Sequence, residues 1–150
     1  MLIDTAVLGP VEVAEEDIFT LPDGLYGFDS PNQYALITRH EEEVTLRWLQ
    51  SVESSVPCFV VFDPYEIIDN YAPVLESDDM RRLGCKDVGE LRFFSIAVVP
   101  DDIQDMTINL KSPVVVNKAT RVARQVILAN RDYPIKFAFF APEDEEAGEQ

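Results

Sequence analysis

The chain has 150 residues, 47% of them apolar and 27% charged, with 28 Asp and Glu against 12 Lys and Arg and a formal net charge of −16. That size and balance describe one ordinary globular domain and exclude a disordered, collagen-like or low-complexity chain. The acidity argues against direct RNA or DNA binding, which needs clustered Lys and Arg, and it favours encounter with basic partners.

The N-terminal part is the most one-sided. Seven carboxylates (Asp4, Glu12, Glu15, Glu16, Asp17, Asp23 and Asp29) precede the first basic residue, Arg39. Met1-Leu2-Ile3-Asp4 has neither a basic region nor an apolar stretch of signal-peptide type. No run reaches the ~20 apolar residues that cross a bilayer as a helix. A cytoplasmic protein with no membrane partner is therefore expected.

Short runs rich in Val, Ile, Phe and Tyr, broken by Gly, Pro, Asp and Asn, predict strands. Leu2–Leu8 and Val11–Ala14 flank Gly9-Pro10 as a hairpin, and Asp17–Leu21 is a further strand ending at the turn Pro22-Asp23-Gly24. Gln33–His40 and Val44–Val52 form a second hairpin across Glu41-Glu42-Glu43. Cys58–Phe62 is apolar without alternation, which predicts cover on both faces. Leu91–Val99, Met106–Leu110, Val114–Asn117 and Val122–Ala129 complete the strands.

One segment reads as helix. Ser77–Leu83 has Ser77 as N-cap, Asp78 and Asp79 in the first turn, Arg81 and Arg82 in the last, and Gly84 where a left-handed residue closes the helix. About nine short strands with one short helix predict a mainly β fold: an antiparallel, barrel-like single domain over residues 1–141. Residues 142–150 hold five acids and no base or aromatic, which predicts a disordered acidic tail.

Catalytic patterns are missing. His40 is the only histidine and stands beside Glu41, Glu42 and Glu43, but consecutive residues on a strand or turn point apart and do not converge on a metal. Asp101, Asp102 and Asp105 do not match the alternating spacing of a calcium loop. No nucleophile elbow, P-loop or glycine-rich dinucleotide loop occurs, so neither an enzyme nor a cofactor is expected. Cys58 and Cys85 lack a Cys-x-x-Cys context and read as reduced thiols, Cys58 buried, with a reactive Cys85 as the alternative. Lys111, Lys118, Arg121, Arg124, Arg131 and Lys136 are either a local basic stripe or solvated strand faces.

The segment from Pro64 to Pro73 lies between strands yet holds two Tyr and two Ile. Tyr65, Ile67 and Tyr71 are the candidate anchors for a protein partner; packing over one end of the core is the competing reading.

Three segments together resemble the FliW family of flagellar assembly factors. They are Leu21-Pro22-Asp23-Gly24-Leu25-Tyr26-Gly27-Phe28; Trp48-Leu49-Gln50-Ser51-Val52-Glu53 leading to Asp63-Pro64; and Val99-Pro100 followed by Thr107–Leu110, Ser112–Asn117 and Gln125–Leu128. Leu21 stands where the family usually has an aromatic, Leu25 where it has Ile, and Asp29 where Glu is common. The resemblance covers roughly residues 1–137. It implies a cytoplasmic, non-enzymatic regulator that binds the RNA-binding translational repressor CsrA and flagellin. By switching between them it relieves repression of flagellin mRNA. The alternative class is a β-barrel that binds a small ligand in its mouth.

Overall fold

The structure, a computed structural model, describes residues 1–28 and 32–140. The expected acidic tail lies outside the described residues. The chain is mainly β. Its strands are β1 (Leu2–Thr5), β2 (Gly9–Glu12), β3 (Ile18–Thr20), β4 (Gln33–Glu41), β5 (Val44–Ser51), β6 (Cys58–Phe62), β7 (Leu91–Val98), β8 (Thr107–Ile108), β9 (Val114–Asn117), β10 (Ala123–Gln125) and β11 (Phe137–Ala138). The helices are α1 (Pro64–Ile67) and α2 (Ser77–Leu83).

Nine strands form one antiparallel sheet in the order β10-β9-β7-β6-β5-β4-β3, with β8 beside β7 and β11 beside β8. The two ends of this order meet at one point. Thr20, at the end of β3, bridges to Val122 before β10, and its N–H donates to the Arg121 carbonyl at 3.0 Å. The sheet is thus barrel-like, with a seam of a single bridge in place of full closure.

Period-two alternation sorts the side chains into two sides of this curved sheet. Phe19, Leu36, Leu49, Val61, Phe94, Val114 and Val116 fill the enclosed side. On the other side of β7 and β9, Leu91, Phe93 and Val115 pack with Tyr71, Leu83, Leu110 and Leu128. The β1–β2 hairpin forms its own two-stranded sheet and covers Ala35 and Ile37 of β4 with Ile3 and Val13. Each large side chain buried in these layers stabilises the fold by about 1.5–3 kcal/mol.

Several boundaries differ from the sequence reading for local reasons. The first hairpin turns at Ala6-Val7-Leu8, and Gly9-Pro10 belongs to β2, because the Thr5 hydroxyl caps the turn by accepting from Leu8 N–H at 2.7 Å and donating to Gly9 O at 2.8 Å. The second hairpin turns at Glu42-Glu43, with Glu42 in the left-handed region at φ 56°. β6 does have apolar neighbours on both faces, but Cys58, Phe59, Val60 and Phe62 remain half-buried. The N-cap of α2 is Glu76; Ser77 is already its first residue and makes no capping bond. Asp78 instead pairs with Arg81 and Arg82, and Gly84 closes the helix at φ 70°. The one-turn α1 and the two-residue β11 escaped the reading, being too short to show a period.

Candidate functional site

The candidate segment begins where β6 ends. Asp63 accepts from Tyr65 N–H at 2.9 Å and so caps α1, and Pro64 occupies its first turn, where a missing N–H costs nothing. This single turn sets Tyr65 beside the chain's aromatic cluster. Its ring meets Tyr71 edge-on at 5.2 Å and Phe93 at 5.8 Å. Tyr71 in turn stacks on Tyr133 at 4.8 Å and donates its hydroxyl to Leu110 O at 3.1 Å.

The loop that follows is tied down. Ala72 N–H donates to the Tyr133 hydroxyl at 2.7 Å, Val74 N–H to Asn130 Oδ1 at 2.7 Å, and Asn130 Nδ2 to Ala72 O at 2.9 Å. The three residues singled out as anchors therefore occupy different depths. Tyr65 is 48% exposed, Ile67 is half-buried against the outer cluster, and Tyr71 is 5% exposed. Burial pushes the Tyr71 phenol well above its ordinary range, with Tyr133 and Tyr65 adding to the effect. Burial also raises Tyr65, helped by the Asp63 carboxylate. Both rings present neutral hydroxyls at neutral pH.

A second apolar place was missed in the sequence. Tyr26 is 57% exposed and Val98 and Ile135 are 61% exposed, and the three border a groove of about 270 Å³ floored by Leu25, Phe59 and Ile96. Tyr26 is held there by its N–H, which donates to Gln125 Oε1 at 2.9 Å. The available signal was a tyrosine between Gly24 and Gly27, both at positive φ (67° and 86°), since two tight turns lift the residue between them outward.

The remaining candidates have structural employment. His40 is exposed on β4, its Nδ1 3.0 Å from the Thr45 hydroxyl. Asp102 caps a 3-10 turn by accepting from Gln104 N–H at 3.0 Å. Among the described residues no group of three or more His, Cys, Asp or Glu is placed to hold a metal ion. Cys85, not Cys58, is the more buried thiol, and burial with the Glu90 and Asp87 carboxylates raises its pKa, which opposes a reactive thiolate.

The possible basic stripe does not assemble. Lys111 donates to Asn130 O, Lys118 to Gly89 O at 3.0 Å and Arg121 to Glu15 O at 2.8 Å. Arg124 pairs with Asp23 and lies 4.0 Å from Asp79. These cations fasten neighbouring segments and do not line one outward face.

Comparison with known proteins decides the family. The family model for the FliW protein matches residues 2–139. The chain belongs to the FliW family. A flagellar assembly factor FliW from Ruminiclostridium cellulolyticum is 36% identical over 136 residues, 91% of this chain and 92% of the relative. One from Bdellovibrio bacteriovorus is 37% identical over 140 residues, 93% of this chain and 79% of the relative. A crystal structure of the flagellar assembly factor FliW superposes with a TM-score of 0.81 at 30% identity, covering 94% of this chain and 98% of that one. The FliW match spans all three motif segments and the whole described sheet, so the resemblance read from those motifs extends to the fold. The family is one of flagellar assembly factors and is not an enzyme family. No helix among the described residues is long and apolar enough to cross a membrane.

Proposed function

We propose that this chain is a cytoplasmic regulator of flagellar assembly that binds a CsrA-type translational repressor and flagellin, releasing flagellin mRNA from repression until free flagellin claims it. The observation that carries this reading is family membership over residues 2–139 with a matching fold. The charge supports it. A body of net charge −16 docked on an RNA-binding protein adds a repulsive field for incoming phosphate, even when it sits away from the RNA site.

Tyr65 is the proposed contact, with Ile67 and Tyr71 supporting it from below. Tyr65 is a half-exposed aromatic on a capped turn, a rigid anchor that loses little entropy on binding. The Tyr26 cluster offers a second apolar face on the same molecule.

The test is direct. The purified chain is titrated into a CsrA-type repressor bound to flagellin leader RNA, and then into flagellin. Release of RNA that weakens as salt rises, with no competition at the RNA site, is expected; absence of binding to either protein refutes the reading. Tyr65→Ala is expected to weaken at least one complex about tenfold while leaving the fold intact. If both affinities stay within twofold, the anchor is elsewhere, and Tyr26→Ala is the next variant.

A further inference from the structure

The strand order places three cations at one end of the barrel-like sheet. β5, β6, β7 and β9 are consecutive antiparallel neighbours, so the start of β5, the end of β6, the start of β7 and the end of β9 share that end. Counting two residues outward from the buried positions Leu49, Val61, Phe94 and Val116 gives Arg47, Asp63, Arg92 and Lys118. Arg47 and Arg92 follow the enclosed-face alternation within β5 and β7, while Asp63 and Lys118 lie just beyond the ends of β6 and β9. Together they line an open cavity of about 440 Å³, with Tyr65 and Phe93 on its walls.

The cavity exists because β6 stops early. The Asp63-Pro64 turn carries the chain away into α1, so β6 meets β7 only at Ser95 and Ile96. Among the described residues no strand lies beside the edge of β7 from Leu91 to Phe94 that faces β6, while its other edge pairs with β9. The gap opens the sheet and leaves room for a ligand.

The cations at the gap keep unused hydrogen-bonding capacity. Arg92 lies over the Phe94 ring at 4.9 Å and has no salt-bridge partner among the described residues. Lys118 spends one of its three donors on Gly89 O at 3.0 Å. Arg47 is 3.8 Å from Glu66, a carboxylate that is 65% exposed. Asp63 is the one carboxylate among the described lining residues, and one of its oxygens already caps α1. Among the described lining residues three cations face this one carboxylate, with Glu66, Asp87 and Glu90 beside the mouth, so the lining itself is cationic on a chain of net −16. Two guanidinium-bearing residues and a lysine lining one cavity supply the donor types that hold a multivalent oxyanion. The cavity volume falls within the ~300–1,000 Å³ of small-ligand sites.

We propose that this mouth is a binding site for a small polyanion carrying phosphoryl or carboxylate groups, held by Arg47, Arg92 and Lys118. The cavity borders the proposed partner contact, since Tyr65 lines both, but the test uses small anions alone and does not involve the flagellar partners. Pyrophosphate and citrate are titrated into the full chain by calorimetry at low ionic strength, with sodium chloride matching the ionic strength in the reference titration. Saturable one-to-one binding is expected, stronger for pyrophosphate if the natural ligand is phosphorylated and for citrate if it is a polycarboxylate. Arg92→Gln and Lys118→Gln are each expected to weaken it about tenfold or more. Arg131→Gln, an exposed cation outside the cavity, is expected to leave it unchanged. No saturable heat with either probe, or equal weakening by Arg131→Gln, overturns the proposal. Thermal unfolding of each variant without ligand checks that a lost signal is not a lost fold.

Discussion

Asn117 closes β9 and is 4% exposed. Its Nδ2 donates to Leu83 O at 2.8 Å, the carbonyl at the end of α2, while its Oδ1 accepts from Ala119 N–H at 2.9 Å and Thr120 N–H at 3.3 Å. One side chain thus satisfies a helix end and shapes the turn that leads to the seam. Asn117→Ala removes the bond to Leu83 and leaves that carbonyl short of a partner, at about 1–3 kcal/mol. The two turn N–H groups belong to exposed residues and regain water, so they add only about 0.5–1 kcal/mol. The expected loss is about 1.5–4 kcal/mol, read as a fall of about 1–2 M in the urea midpoint with unchanged slope. Asn117→Asp separates the two roles. It keeps the turn acceptor but sets a carboxylate against the Leu83 carbonyl, so at neutral pH it is expected to destabilise more than alanine. A loss under about 1 kcal/mol for alanine, or a milder effect for aspartate, refutes the role assigned to this bond.

Other expectations follow from groups already described. Tyr34 is fully buried and its hydroxyl finds no hydrogen-bond partner among the described residues; burial, with Glu53 adding, pushes its pKa from 10.0 up to about 12. A raised folded value means the contribution is whole below pH 10 and lost as pH climbs through about 12. Tyr34→Phe should therefore flatten stability against pH in that alkaline window and be neutral or slightly stabilising at pH 7; a large loss at pH 7 would reveal a missed partner. Gly84→Ala meets no atom within 4 Å of the added carbon but forces a left-handed alanine, so a loss of about 1 kcal/mol in thermal unfolding is expected. Burial raises both cysteine pKa values, and carboxylates raise Cys85 further, so thiol labelling of the folded chain at pH 7 should run slower than for free cysteine at both sites. Labelling of Cys85 at the free-thiol rate would revive it as a reactive residue.

What the sequence made legible was local. Cys58–Phe62 and Val114–Asn117 came out with their observed bounds because each is a compact β-branched or aromatic run between turn residues. Ser77–Leu83 did so because charge order and Gly84 agree with the helix dipole. Tyr71 was legible as an aromatic in a connecting segment, but its burial depends on Leu110 and Tyr133, far along the chain. The cationic mouth was hidden for the same reason. Arg47, Arg92 and Lys118 become neighbours only through three strand registers, and no spacing along the chain announces them. The stripe suggested between Lys111 and Lys136 shows the converse: nearness in sequence, separated by what each side chain fastens.

The seam joining Thr20 to Arg121 and Val122 constrains how the molecule is made. During synthesis β3 waits at one margin of the growing sheet with nothing to meet it until residue 122 has emerged. Through that interval the nascent chain offers an open strand margin of the kind that recruits neighbouring chains. Any fragment ending before the seam keeps that margin permanently. Such fragments should clump where the full chain stays dispersed.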